Sequence, residues 1–241
     1  MTERLSIEPR FRSIEDNYKE IISRIAEAAV KSGRSPADIR FMAVTKTHEP
    51  ALINHTLSLG VDLIGENKVQ ELLGKLDYLE PPDVEKHLIG HLQTNKVRKI
   101  VGVVSMIQSV DSLPLLHEIE RQSALKGVTT DILLEINIGE EAAKTGLPPG
   151  DVAELAEASA DCPHVRLRGL MAVPPVCETE SEARSWFSRM KRMYEDLRET
   201  NLPGAGIDTL SLGMSADYEA AILEGSTLVR VGSALFGLRR Y

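Results

Sequence analysis

Residues 209–232 read TLSLGMSADYEAAILEGSTLVRVG: two short apolar, β-branched runs, TLSLG and TLVRVG, flank a helix-compatible segment that begins near residue 216. Strands joined by a connection of that length run parallel, because the helix carries the chain back across the sheet. Working outward, six more runs of the same kind precede them. These are RFMAVT (40–45), VDLIG (61–65), KHLIG (86–90), VVSMIQSV (103–110), DILLEIN (131–137) and RLRGLMAV (166–173). Amphipathic stretches at 66–78, 112–126, 151–160 and 179–200 lie between them. An opening helix is predicted from about 13 to 32, with Ile14, Tyr18, Ile21, Ile22, Ile25 and Ala29 at helical spacing and Gly33 at its end. Eight strands alternating with helices predict a single (β/α)8 TIM barrel of α/β class with an extra N-terminal helix. An open doubly wound sheet uses the same units, and only the missing G-x-G-x-x-G after the first strand speaks against it.

The chain's 241 residues match the usual ~250 of one such barrel, so 1–241 is read as one domain. Apolar residues at 42% and charged residues at 27% provide an ordinary core without disulfides or metals. A net charge of −8 disfavours binding to nucleic-acid phosphates. Cys162 and Cys177 have no C-x-x-C spacing and are read as reduced thiols. The charged N-terminus resembles no signal peptide, and no stretch has the ~18 apolar residues of a membrane span, so a cytoplasmic protein is expected.

In a barrel, chemistry collects where strands end. Lys46 follows the first run, where partial desolvation would free its amine for Schiff-base chemistry; the competing reading is a rim lysine whose stem covers apolar surface. Loops after the last two strands are this fold's habitual phosphate site. There Gly213 permits close backbone approach, and Ser215 is placed to cap the following helix and face an anion, while Gly232 and Ser233 offer amides. Capping alone would also account for Ser215. Arg230, two residues before Gly232, is costly to bury unless it meets an anion or a hydrogen-bond acceptor; the competing reading is a structural ion pair with an acidic strand-end residue. A lysine at one end and a phosphate site at the other describe a ligand with an aldehyde and a phosphate, which pyridoxal 5′-phosphate (PLP) satisfies.

Beyond these positions, VTKTH (44–48), IGENKVQE (64–71), HLIGHLQTNK (87–96), SVDS (109–112), NIGEEAAKTG (137–146), LRGLMAVPP (167–175) and 211–237 recur in order. Together they closely resemble the pyridoxal phosphate homeostasis protein family, from about residue 12 to 239. The resemblance implies a fold-type III PLP-binding barrel like the N-terminal domain of alanine racemase. It implies Lys46 as the Schiff-base lysine, Ser215, Gly232, Ser233 and the Met214 amide around the phosphate, and Arg230 at the pyridine nitrogen. Asn67 and His91 match family positions near the ring, although a strand-end histidine is also a common structural residue. His87 with His91 imitates zinc spacing without a helix or third ligand, so no metal is expected. Lys96, Arg98 and Lys144 match family positions and would draw an anion to the mouth, or form a solvated face.

Racemisation needs acid/base groups on both faces of the α-carbon. The chain ends at Tyr241 just after strand 8, and Tyr18, Tyr78, Tyr194 and Tyr218 fall in predicted helices. The expectation is therefore a monomeric carrier without catalysis, which holds PLP and releases it, with PLP-dependent apo-enzymes as recipients. The alternatives are an amino-acid racemase or decarboxylase of fold type III and a Schiff-base aldolase acting on a phosphosugar.

Overall fold

The computed structural model describes residues 4–237; Tyr241 lies outside them. In chain order the elements are α1 (Arg4–Lys31), β1 (Arg40–Val44), α2 (Pro50–Ser58), β2 (Leu63–Glu66), α3 (Val69–Lys75) and β3 (Glu85–Leu88). They continue with α4 (Val97–Ile100), β4 (Met106–Val110), α5 (Leu113–Lys126), β5 (Thr130–Ile136), α6 (Val152–Ala160) and β6 (Val165–Ala172). The last are α7 (Glu180–Glu199), β7 (Thr209–Ser211), α8 (Tyr218–Leu223), β8 (Leu228–Val231) and α9 (Ser233–Phe236).

Every strand pairs in parallel with its sequence neighbour, and β8 pairs with β1 in the register Arg40↔Leu228 to Ala43↔Val231. That last pairing closes the barrel and removes the open-sheet alternative. Period-2 alternation then divides each strand. In β1, Ala43 packs outward with Ile64 and Val229, whereas Met42 packs with Leu63 and Leu228 in the interior. The amino-terminal mouth is sealed by charge. Arg40 grips Glu85 through two hydrogen bonds of 3.0 and 2.8 Å, and Asp131 is shared by Arg166 at 2.7 Å and Arg168 at 2.5 Å.

α1 begins nine residues before the predicted start: Ile7 and Phe11 continue the helical spacing of Ile14 and Tyr18 and pack on the same cluster, and Pro9 lies inside the helix. Its buried face, Ile14, Ile21, Ile25 and Ala29, packs on Leu52, Ile53, Tyr218, Ile222 and Leu235, so it covers the seam where β8 meets β1. Asn17 Nδ2 reaches across to donate to the Leu235 carbonyl at 2.9 Å, tying α1 to α9. No helix among the described residues is long and apolar enough to cross a membrane.

Candidate functional site

The turn after β1 places half-buried Lys46 between two residues that are held from behind. Thr45 N–H donates to the Gly65 carbonyl at 3.0 Å, and its hydroxyl donates to Glu66 Oε1 at 2.7 Å. The Thr45 carbonyl accepts from Lys75 Nζ at 2.9 Å. Thr47, in the left-handed region at φ 66°, gives its N–H to the Glu71 carboxylate. Lys75 bridges Glu66 and Glu71 at 2.6 and 2.8 Å. Burial pushes the Glu66 carboxyl above its ordinary value, against the pull of the Lys75 bond. A buried ion network thus fixes the backbone on both sides of Lys46 while its side chain lines a cavity of about 650 Å³.

The same cavity is bounded by Val44, His48, Asn67, Ile89, Val173 and, from the barrel's closing strands, Met214, Ser215, Ala216, Arg230, Gly232, Ser233 and Gly237. At Gly213, φ is +86° and a Cβ would lie 2.7 Å from Ala221 Cβ and 2.8 Å from Tyr218 Cα, so only glycine lets this turn lie against α8. One sequence expectation is corrected here. Ser215 does not cap α8: Asp217 occupies that position, and the Ser215 hydroxyl instead accepts the N–H groups of Gly232 and Ala234, both at 3.1 Å. The chain makes an extra turn at 214–217 before the helix starts, which carries Ser215 across to the first turn of α9. The Met214 amide donates to Asp217 Oδ1 at 2.6 Å, so it is already engaged within its own turn. With both acceptor sites of the Ser215 oxygen filled, its own O–H is left to donate elsewhere.

Arg230 is 4% exposed and enters the cavity wall from below. One terminal nitrogen donates to the Ser211 carbonyl at 2.7 Å and hydroxyl at 2.6 Å; the other donates to the Ala172 carbonyl at 2.8 Å. Burial pulls the guanidinium down to about 10, opposed by the Asp217 and Glu135 carboxylates, so it remains a cation at neutral pH.

Lys46, Asn67, Met214, Ser215, Arg230, Gly232 and Ser233 are therefore gathered around one space. His91 is not: its exposed ring stands 3.6 Å from Asp111 at the rim, outside the cavity lining. His87 is inside the barrel, bonded to Glu85 and Gln108, so the two histidines serve different places. Lys144 bonds Glu141 at 2.6 Å and the Pro174 carbonyl at 3.1 Å. Sequence reasoning missed His48, which lines the cavity and stacks on Phe236 of α9 with ring centroids 4.2 Å apart. Its place two residues after Lys46 in VTKTH was the available signal.

A closed parallel barrel with a lysine at the end of β1, a backbone cradle beside β7 and β8, and a buried arginine between them defines the racemase-type class of barrel. Residues 14–240 match the family described as alanine racemase, N-terminal domain. The chain is 37% identical over 227 residues to the pyridoxal phosphate homeostasis protein of Aquifex aeolicus, covering 94% of this chain and 98% of that one. It is 40% identical over 229 residues to the protein of that name from Pseudomonas aeruginosa, covering 95% and 97%. The structure of PipY from Synechococcus elongatus PCC7942 with PLP bound superposes with a TM-score of 0.77 at 34% identity, covering 88% of this chain and 100% of that one. The chain belongs to the pyridoxal phosphate homeostasis protein family.

Proposed function

We propose that this protein holds PLP on Lys46 and gives it up again, as a cofactor reservoir without turnover. One observation carries this reading: a single cavity of about 650 Å³ is bounded by Lys46 and by the Ser215–Gly232–Ser233 cradle, with a buried cation between them. The residues fit the group. Gly232 leaves room that a Cβ would close to 3.3 Å from Val44, and Ser215 presents an O–H polarised by two backbone amides.

PLP supplies an aldehyde, an anionic phosphate and a pyridine ring. The Lys46 amine condenses with the aldehyde, forming a C=N bond and releasing one water. Ser215 donates to the phosphate, and Ser233 adds its amide. Arg230, a permanent donor at neutral pH, cannot hand a proton to the ring nitrogen, so the ring is a weak electron sink. Asn67 borders the ring. On this reading the protein acts as a cytoplasmic monomer, and PLP-dependent apo-enzymes are its recipients.

The test is the visible spectrum of the purified protein before and after an amino acid is added, with borohydride reduction and peptide mapping. The expected result is one reduced label on Lys46, no label in Lys46→Ala, and a spectral change with amino acid that is accompanied by no α-proton exchange. A label on another lysine overturns the site. Exchange at the α-carbon replaces the reservoir with a fold-type III enzyme.

A further inference from the structure

The interior of the barrel is half apolar and half polar, and the polar half is continuous. Met42, Leu63 and Leu228 form one apolar group, and Met106, Leu133 and Met171 another. Between them runs a chain of side chains from β3, β4, β7 and β8. Glu85 Oε1 is 2.8 Å from His87 Nε2, and His87 Nδ1 is 2.8 Å from Gln108 Nε2. Gln108 Oε1 is 2.8 Å from Ser211 Oγ, which is 2.6 Å from the Arg230 guanidinium. His87, Gln108 and Ser211 are 1%, 0% and 0% exposed. Burying three polar side chains where apolar ones would fit is unfavourable unless their bonds all close, and here they do.

The donors also agree in direction. Arg230 can only donate, so Ser211 Oγ accepts from it and donates its proton to Gln108 Oε1. The Gln108 amide N–H then faces His87 Nδ1, which must be the bare nitrogen, and His87 Nε2–H donates to Glu85. At the far end Glu85 is anchored by Arg40 at the sealed mouth. The His87 bond, with Arg40 behind it, outweighs burial and holds Glu85 down to about 2, so it stays an acceptor. The reverse direction would need a flipped amide, a proton on Nδ1, and a bare Nε2 facing an ionised carboxylate.

We propose that Gln108 and His87 are positioning residues for Arg230: a one-way hydrogen-bond relay from Glu85 fixes the Ser211 hydroxyl, and with it the guanidinium that faces bound PLP. This rests on the reading that the cavity takes PLP. The relay supplies one of three acceptors to Arg230 N–H groups, the Ser211 hydroxyl, beside the Ser211 and Ala172 carbonyls. Its loss would let the cation turn within the cavity wall.

The test uses the full chain with Gln108→Leu, Ser211→Ala and the apolar control Met106→Leu, in wild-type and Arg230→Gln backgrounds. The readouts are the absorption maximum of bound PLP, its loss on dialysis, and the nitrogen NMR shifts of His87 in protein without PLP. The relay predicts a shifted maximum and roughly tenfold faster PLP loss in Gln108→Leu and Ser211→Ala, as for a lost bond to a charged group. It predicts no further effect of either substitution in the Arg230→Gln background and no such shift in Met106→Leu. An unchanged maximum and retention in both relay variants, or effects that add fully to Arg230→Gln, overturns it. If Gln108→Leu does not fold, the milder Ser211→Ala decides. Should wild-type protein bind no PLP, the functional reading fails, and the His87 shifts still decide the relay. A neutral Nε2–H ring whose nitrogen shifts move in Ser211→Ala supports it; an Nδ1–H ring overturns it.

Discussion

The Lys75 ammonium lies 2.6 Å from the Glu66 carboxylate, directly behind the turn that carries Lys46. Their side chains are 10% and 1% exposed, so each is the other's main substitute for water. Removing one partner strands the other, which is far costlier than replacing both. Lys75→Met is expected to destabilise the protein by roughly 3 kcal/mol at neutral pH. The pH dependence follows from Glu66. Burial already raises its carboxyl in the folded state, and losing Lys75 raises it further. A raised group contributes fully below its unfolded pKa and loses that contribution as pH rises through the folded one. Urea unfolding at pH 5 and pH 8 should therefore show a small deficit in acid and a larger one in base; a pH-independent deficit would clear Glu66.

Gly213→Ala tests the cradle. The residue is held at φ +86°, and its new methyl would meet Ala221 and the Tyr218 backbone at 2.7 and 2.8 Å. Backbone strain and overpacking together predict a loss of about 2 kcal/mol, or roughly 5 °C in Tm, with weakened PLP binding. An unchanged Tm would show that the turn relaxes freely.

Ser215→Ala removes an acceptor for two amides and a donor to the ligand at once. Helix α9 loses its side-chain cap, so the protein without PLP should lose about 1 kcal/mol. PLP binding should weaken by about 1–3 kcal/mol. If affinity holds while stability falls, Ser215 only organises α9.

All eight strands were legible in the sequence because each is a short apolar run bounded by polar turns, and Lys46, Arg230 and Gly232 followed from counting to the strand ends. Closure was legible only from the count of eight alternating strands and from the family resemblance, not from any local signal, since the β8–β1 pairing joins residues nearly 190 positions apart. The cap at Ser215 was misjudged for a related reason: local spacing puts it before α8, but its partners are 17 and 19 residues downstream. Gln108 and Ser211 passed unnoticed inside MIQSV and TLS because a polar residue in an interior position is indistinguishable, from sequence, from one facing solvent.

Asp217 offers the sharpest test of the anion site, because its carboxylate stands on the wrong side of the charge balance. It accepts the Met214 amide at 2.6 Å and sits in the same turn as Ser215, so a bound phosphate would face a like charge. Burial raises its carboxyl above the ordinary value, with the Met214 bond and Arg230 pulling it back. Asn keeps an oxygen for the amide and removes the charge. Asp217→Asn is therefore expected to bind PLP more tightly by about 1 kcal/mol, roughly fivefold, at neutral pH, a Coulomb term screened by nearby solvent. As pH falls through the raised pKa, wild-type Asp217 takes up a proton and the two proteins should converge; phosphate bound nearby moves that convergence to higher pH. Equilibrium titration with PLP from pH 4.5 to 8 measures this. Equal affinities throughout, or weaker binding by Asp217→Asn at neutral pH, would place the anion away from the 213–217 turn.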